Sequence, residues 1–156
     1  MAALAEGDKA PQFTLPASTG GEISLKDFVG KQAVVLYFYP KDMTPGCTTE
    51  ACAFRDLQGD FAQAGAVILG VSADSLESHA KFADKHELSF PLLSDLDAVV
   101  CQQYGVWKEK SNYGKTYLGI ERTTFVVDQQ GVIRKIYPKV KVDQHADEVL
   151  EFVKSL

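Results

Sequence analysis

Cysteine and histidine, the residues that most often build metal centres and disulfide frameworks, number only three each in this chain of 156 residues. Cys47, Cys52 and Cys101 are too few, and odd in number, for the disulfide scaffold of a small secreted domain. No run approaches the ~20 consecutive apolar residues that cross a bilayer, so no membrane association is expected. Positive charge is also short: 16 Lys and Arg stand against 21 Asp and Glu, a net charge of −5. That balance argues against a nucleic-acid binder, which needs a basic face. The opening Met1-Ala2-Ala3-Leu4-Ala5-Glu6-Gly7-Asp8 lacks a basic stretch followed by an apolar one, which predicts a cytoplasmic rather than an exported protein. Repeats, low-complexity tracts and linkers are absent, and a single domain over residues 1–156 is expected.

What is present is ordinary for a soluble globular protein: 46% hydrophobic and 24% charged residues. Gln12–Leu15 and Glu22–Leu25 bracket a Ser/Thr/Gly turn and read as an N-terminal β-hairpin. Ala33–Tyr39 is a nearly continuous apolar run ended by Pro40, which suits a strand buried on both faces. A helix should follow, with Thr44 at its N-cap, Pro45 at its first position and Phe54, Leu57 and Phe61 at helical spacing, ending at Ala64-Gly65. Ala66–Val71 reads as a second buried strand. Asp74 with Glu77 resembles a capping box for a helix through Glu87. Phe90–Leu93 suits a short strand, and Ala98–Tyr104 a brief helical turn. Thr123–Val127 and Val132–Tyr137 flank a hairpin turn, and a last helix capped by Asp143 carries Ala146, Val149, Leu150, Val153 and Leu156 on one face. The order predicts an α/β fold, a central mixed sheet flanked by helices with a hairpin at the N-terminus.

The chemistry concentrates in Pro40–Cys52. With Thr44 at the cap, Cys47 is the third helical residue, among unpaired backbone N–H groups at the positive end of the helix dipole. Such a setting favours the thiolate, the nucleophilic form. Cys52 lies five residues on. In an ideal helix that spacing separates the two Cα atoms by roughly 8.7 Å, from a rise of ~7.5 Å and a radius of ~2.3 Å. A disulfide wants them within about 7 Å. The pair can therefore bond only if the first turns unwind, which makes it a redox pair coupled to local unfolding. A zinc site competes poorly, because a second Cys or His pair is lacking. His79, His86 and His145 read as surface or half-buried helix residues. Cys101 reads as a buried helix cysteine, Trp107 as packing, and Lys108-Glu109-Lys110 as a solvated loop.

The pattern Pro40-x-x-x-Thr44-x-x-Cys47 resembles the active-site signature of peroxiredoxins. The longer stretch KDMTPGCTTEACAFRD, Lys41 to Asp56, is similar to the bacterioferritin comigratory protein (PrxQ) subfamily. So are Gly7–Phe13 and Glu121–Phe125, which extends the resemblance over nearly the whole chain. It implies a thioredoxin-like fold and a peroxidase that works without metal, haem or flavin. Cys47 matches the peroxidatic cysteine, Thr44 and Pro40 its pocket companions, and Arg122 the distant arginine brought beside the sulfur. Glu50 is placed to orient Arg122, or is a solvated helix glutamate. Cys52 matches the resolving cysteine of one branch of the subfamily. The implied partners are a peroxide, hydrogen peroxide or an organic hydroperoxide, and a dithiol reductant such as thioredoxin, with a monomer as the implied state. Two other classes remain open on the residues alone: a thiol–disulfide oxidoreductase acting on proteins, which usually draws on a Cys-x-x-Cys pair, and a redox-sensing binding module signalling by helix unwinding.

Overall fold

The structure, a computed structural model, describes residues 4–156. The export reading rests partly on Met1, Ala2 and Ala3, which lie outside the described residues. Strand β3 (Ala33–Phe38) is the centre, and all six of its residues are buried. It pairs in parallel with β4 (Ala66–Ser72), Val35 opposite Ile68. On its other side it pairs antiparallel with β8 (Thr123–Val127), Leu36 opposite Phe125. With β5 (Leu92–Ser94) and β9 (Ile133–Tyr137) the sheet runs β5-β4-β3-β8-β9. Buried apolar runs in the middle and a mixed strand sense are what the sequence pattern predicted.

Alternation along β3 divides the core, since successive side chains leave opposite faces. Val34, Leu36 and Phe38 join Phe13, Leu15, Cys101 and Tyr104 on one face. Val35, Tyr37 and Tyr39 join residues of three helices on the other: Phe54 and Phe61 from α1 (Pro45–Gln63), Phe82 from α2 (Leu76–His86), and Val149 and Leu150 from α4 (His145–Lys154). Tyr37 stacks on Phe54 with ring centroids 4.7 Å apart, which fixes the distance of α1 from the sheet. The N-terminal hairpin is β1 (Thr14–Pro16) with β2 (Glu22–Ser24), and a 3-10 turn follows it.

Several local expectations shift. Asp74 does not cap α2: Ser75 does, its Oγ accepting from the Ser78 amide at 3.1 Å. The helix stops one residue short of Glu87, which takes a left-handed conformation at φ 54°. Gln144 rather than Asp143 occupies the N-cap of α4, and it does so without a side-chain cap. Pro91 falls just outside β5, and the helical turn is α3 (Val99–Gln103). The largest correction is Lys108-Glu109-Lys110, which is strand, not loop. It lies in β6 (Trp107–Asn112), paired antiparallel with β7 (Lys115–Ile120) as a separate hairpin. Its charges hid it, because a hairpin lying outside the main sheet has little apolar alternation to show. Trp107 is partly buried against the core, as packing.

Candidate active site

Strand β3 delivers the chain to the site. After Tyr39, Pro40 turns it out of the sheet, and α1 begins at Pro45 with Thr44 at the N-cap. The cap is positional only: the Thr44 hydroxyl donates to the Lys41 carbonyl at 2.8 Å and caps no helix amide. Pro45 has no N–H. The first-turn donors are thus the amides of Gly46 and Cys47, which no intrahelical carbonyl can reach. Cys47 is 1% exposed, held in the core cluster between β3 and α1.

The tertiary fold brings Arg122 to this thiol across 75 residues. It stands immediately before β8, the antiparallel neighbour of β3, so the sheet register carries it to the same end as the start of α1. Its Nη2 lies 3.3 Å from Cys47 Sγ, and its Nη1 donates to Glu50 Oε1 at 2.6 Å. Glu50 is one helical turn after Cys47 and 1% exposed, so the reading of it as a solvated glutamate is wrong. A Cβ on Gly46 would stand 3.1 Å from Arg122 Nη2, so glycine there leaves room for the guanidinium.

Charge is tightly confined at this spot. Burial pushes the Glu50 carboxyl up to about 7, although Arg122 beside it pulls the other way. Burial alone would lower Arg122, but Glu50 and Cys47 outweigh it and raise the guanidinium above its usual range. Glu50 Oε2 and the Tyr37 hydroxyl are both buried without a hydrogen-bond partner among the described residues. Burial, then Glu50 and Cys47, raise Tyr37, which keeps its phenol neutral. The β6–β7 hairpin ends at Ile120, two residues before Arg122, and its Lys110 is lowered by burial and then by Arg122. Nothing in the local sequence of Lys110 pointed there.

Cys52, half-buried, sits in the same unbroken helix as Cys47, and both are free thiols. Cys101 is buried on the opposite face of the sheet, and burial followed by Asp95 raises its thiol. Its reading as a buried helix cysteine agrees with that position. The histidines depart from expectation. His79 and His145 are buried, and only His86 is half-exposed. His145 Nε2 bonds Thr124 Oγ1 at 2.8 Å, and burial, then Arg122, lowers it to about 4. His79 joins Asp42 and Asp74 in a cluster with the composition of a cation site. Its donor atoms are already engaged: Asp74 Oδ2 accepts from the Asp42 amide and Ser72 Oγ, and His79 Nε2 faces the Leu93 carbonyl.

A buried thiol in the first turn of a helix, backed by a guanidinium and set where the central strand of a thioredoxin-like sheet ends, has the make-up of a thiol-based oxidoreductase site. The AhpC/TSA family model matches residues 6–136. Peroxiredoxin Bcp of Bacillus subtilis is 51% identical over 150 residues, 96% of this chain and 95% of that one. Peroxiredoxin Bcp of Escherichia coli is 48% identical, with 99% and 98% covered. Among solved structures, a PrxQ mutant of Xylella fastidiosa superposes with a TM-score of 0.93 at 40% identity, over 99% and 98% of the two chains. The Xanthomonas campestris bacterioferritin comigratory protein, studied for its alkyl peroxide reduction activity, superposes at 0.87 with 46% identity, covering 92% and 90%. The chain belongs to the AhpC/TSA family and is a peroxiredoxin, a thiol-dependent peroxidase of the Bcp/PrxQ kind.

No helix among the described residues is long and apolar enough to cross a membrane.

Proposed function

We propose that Cys47 is the peroxide-attacking residue and Cys52 the thiol that resolves it, within one catalytic domain over residues 1–156. The observation that carries the first assignment is the Arg122 Nη2 to Cys47 Sγ approach of 3.3 Å at a thiol that is 1% exposed. The Cys47 thiolate attacks the terminal oxygen of ROOH. An S–O bond forms, the O–O bond breaks, and RO⁻ leaves with the electron pair and takes up a proton to become ROH. Arg122 and the free amides of the first turn stabilise the charge developing on the oxygens. The Thr44 hydroxyl spends its own proton on the Lys41 carbonyl, so it meets the peroxide as an acceptor and holds it by its O–H. Pro40, half-buried, limits water and offers no backbone donor to compete.

The Cys47 sulfenic acid then condenses with the Cys52 thiol, giving a disulfide and water. Because both lie five residues apart in α1, this step needs the first turns to open. A dithiol of the thioredoxin type supplies the two electrons that restore both thiols by exchange. Hydrogen peroxide and organic hydroperoxides are the substrates we assign, the latter supported by the alkyl peroxide activity of the Xanthomonas relative. The enzyme acts in this reading as a cytoplasmic monomer.

The test is stopped-flow reaction of the reduced protein with limiting hydrogen peroxide, comparing the parent with Cys47→Ser and Cys52→Ser, followed by mass spectrometry. Rapid consumption is expected in the parent, with a Cys47–Cys52 disulfide as product. Cys47→Ser should abolish it. Cys52→Ser should keep the first turnover and lose recycling by thioredoxin. Equal steady-state rates in Cys52→Ser and parent would sink the resolving role.

A further inference from the structure

The loop that launches α1 is tied down by a buried polar network that the peroxidase chemistry does not use. Asp42 is 4% exposed and accepts from three side chains. Tyr39 donates to Oδ1 at 2.6 Å, and Ser78 Oγ to Oδ2 at 2.7 Å. His79 Nδ1 stands 2.7 Å from the same Oδ2. His79 Nε2 lies 2.9 Å from the Leu93 carbonyl of β5. Both nitrogens of this fully buried ring are engaged, one by the Asp42 carboxylate and one by the Leu93 carbonyl, so the ring ties Asp42 to β5. Burial pushes the Asp42 carboxyl up, but His79 and Tyr39 outweigh it and keep it below its ordinary range. The Asp42 amide is held as well, donating to Asp74 at 2.8 Å.

The next residue shows what this grip sustains. Met43 has φ 67°, a left-handed conformation uncommon for a side chain of its kind, and is 43% exposed. A strained, exposed residue persists only where its neighbours over-determine it. On the far side of Cys52, Arg55 Nη1 donates to the His86 carbonyl at 2.8 Å and Phe54 is fully buried. The segment between Asp42 and Phe54 is thus pinned at both ends against β3 and α2, with Cys47 and Cys52 inside it. Releasing the Asp42 pin frees the strain at Met43 and enlarges the set of conformations open to an unwound segment.

We propose that Asp42, with His79, Ser78 and Tyr39, is a latch that opposes unwinding of the first turns of α1, and so sets how long the Cys47 sulfenic acid persists before Cys52 captures it. Asp42 and His79 act here as positioning residues; neither touches the reacting atoms. A tight latch keeps the pocket formed for attack and slows resolution, which leaves the sulfenic acid open to a second peroxide and conversion to sulfinic acid. The proposal rests on the assignment of Cys52 as the resolving thiol, and one of its readouts does not.

Ser78→Ala removes one hydrogen bond to a charged acceptor from the outer side of the latch, and Asp42→Asn removes the charge itself. For Ser78→Ala, disulfide formation after a single oxidation should quicken on the order of tenfold, the effect of one charge-assisted hydrogen bond. Attack by the first peroxide should change by less than about threefold. Sulfinic acid formed under excess peroxide, read by mass spectrometry, should fall in step with the faster resolution. In the reduced protein, hydrogen exchange at the amides of residues 46–51 should quicken by the same factor, whichever thiol resolves Cys47. Unchanged exchange in a folded Ser78→Ala protein would overturn the latch. So would attack and resolution slowing together, the mark of a merely structural contact. If the exchange quickens but the parent forms no Cys47–Cys52 disulfide, the assignment of Cys52 is what fails. Should Asp42→Asn not fold, Ser78→Ala decides alone.

Discussion

Replacing Arg122 with methionine removes a charge and two directed donors from a site that is otherwise closed. Arg122 has a side-chain exposure of 16% and its partner Glu50 1%, so solvent screens their interaction poorly. The guanidinium serves two acceptors at once, Cys47 Sγ at 3.3 Å and Glu50 Oε1 at 2.6 Å. Losing one preorganised donor to a developing oxyanion costs about 10²–10³ in rate, ~3–4 kcal/mol of transition-state stabilisation. We therefore expect Arg122→Met to lower the second-order rate constant with hydrogen peroxide by about two to three orders of magnitude. Glu50→Gln should cost less, about tenfold, because the amide oxygen still accepts the hydrogen bond but without the charge that strengthens it. The informative protein is the double variant. If Glu50 works by aiming Arg122, then Glu50→Gln has nothing to aim once Arg122 is methionine, and the double variant should match Arg122→Met. Peroxide consumption by the reduced proteins, followed by stopped flow at one pH, measures all four corners of the cycle. Additive losses would refute the reasoning, and would give Glu50 a role that does not pass through the guanidinium. Stability measured in urea serves as the control, since removing one partner of a buried pair is usually costly. Here protonation of Glu50, already raised to about 7 with Arg122 present, relieves part of that penalty.

Gly46→Ala should separate stability from activity: alanine favours a helix by up to ~1 kcal/mol over glycine. Its Cβ at 3.1 Å from Arg122 Nη2 would displace the guanidinium by a few tenths of an ångström. Higher thermal stability with peroxide attack slowed several-fold is the expected pair of results, and unchanged attack would contradict it. Two buried groups should also leave opposing marks on the pH dependence of folding. Glu50 is raised by burial from 4.5 to about 7, so its native state binds the extra proton; that contribution is full below pH 4.5 and is lost as pH rises through about 7. His145 is lowered by burial, then Arg122, from 6.5 to about 4, so its contribution is present above pH 6.5 and lost as pH falls through about 4. Each amounts to about 3 kcal/mol at most, and the two oppose each other where their windows overlap. Urea midpoints of Glu50→Gln should then rise relative to the parent between pH 5 and 8. A parent and Glu50→Gln that keep the same separation at both pH values would contradict the Glu50 shift.

The sequence by itself settled the features that depend on neighbours along the chain. The apolar run Ala33–Tyr39, ended by Pro40, suited a strand covered on both faces, and it is the centre of the sheet. Thr44-Pro45 could only start a helix well, and α1 begins at Pro45 with Cys47 in its first turn. The five-residue gap to Cys52 fixed that the two thiols cannot bond while the helix holds. Local rules failed where a side chain had a stronger partner across the fold. Asp74 had the spacing of a cap, but its carboxylate serves the Asp42 amide and Ser72. Thr44 had the identity of a cap, but its hydroxyl bonds Lys41. His79, on an amphipathic helix, gave no sign of burial because its partner Asp42 is 37 residues away. Arg122 is the extreme case. Nothing in its own surroundings marks it except resemblance, since its position beside Cys47 depends on β8 lying antiparallel to β3, a pairing across some ninety residues of sequence. Nucleophile and helix start are properties of a local segment, whereas the charge that faces the sulfur, and the network that holds the loop closed, exist only once distant strands and helices have packed.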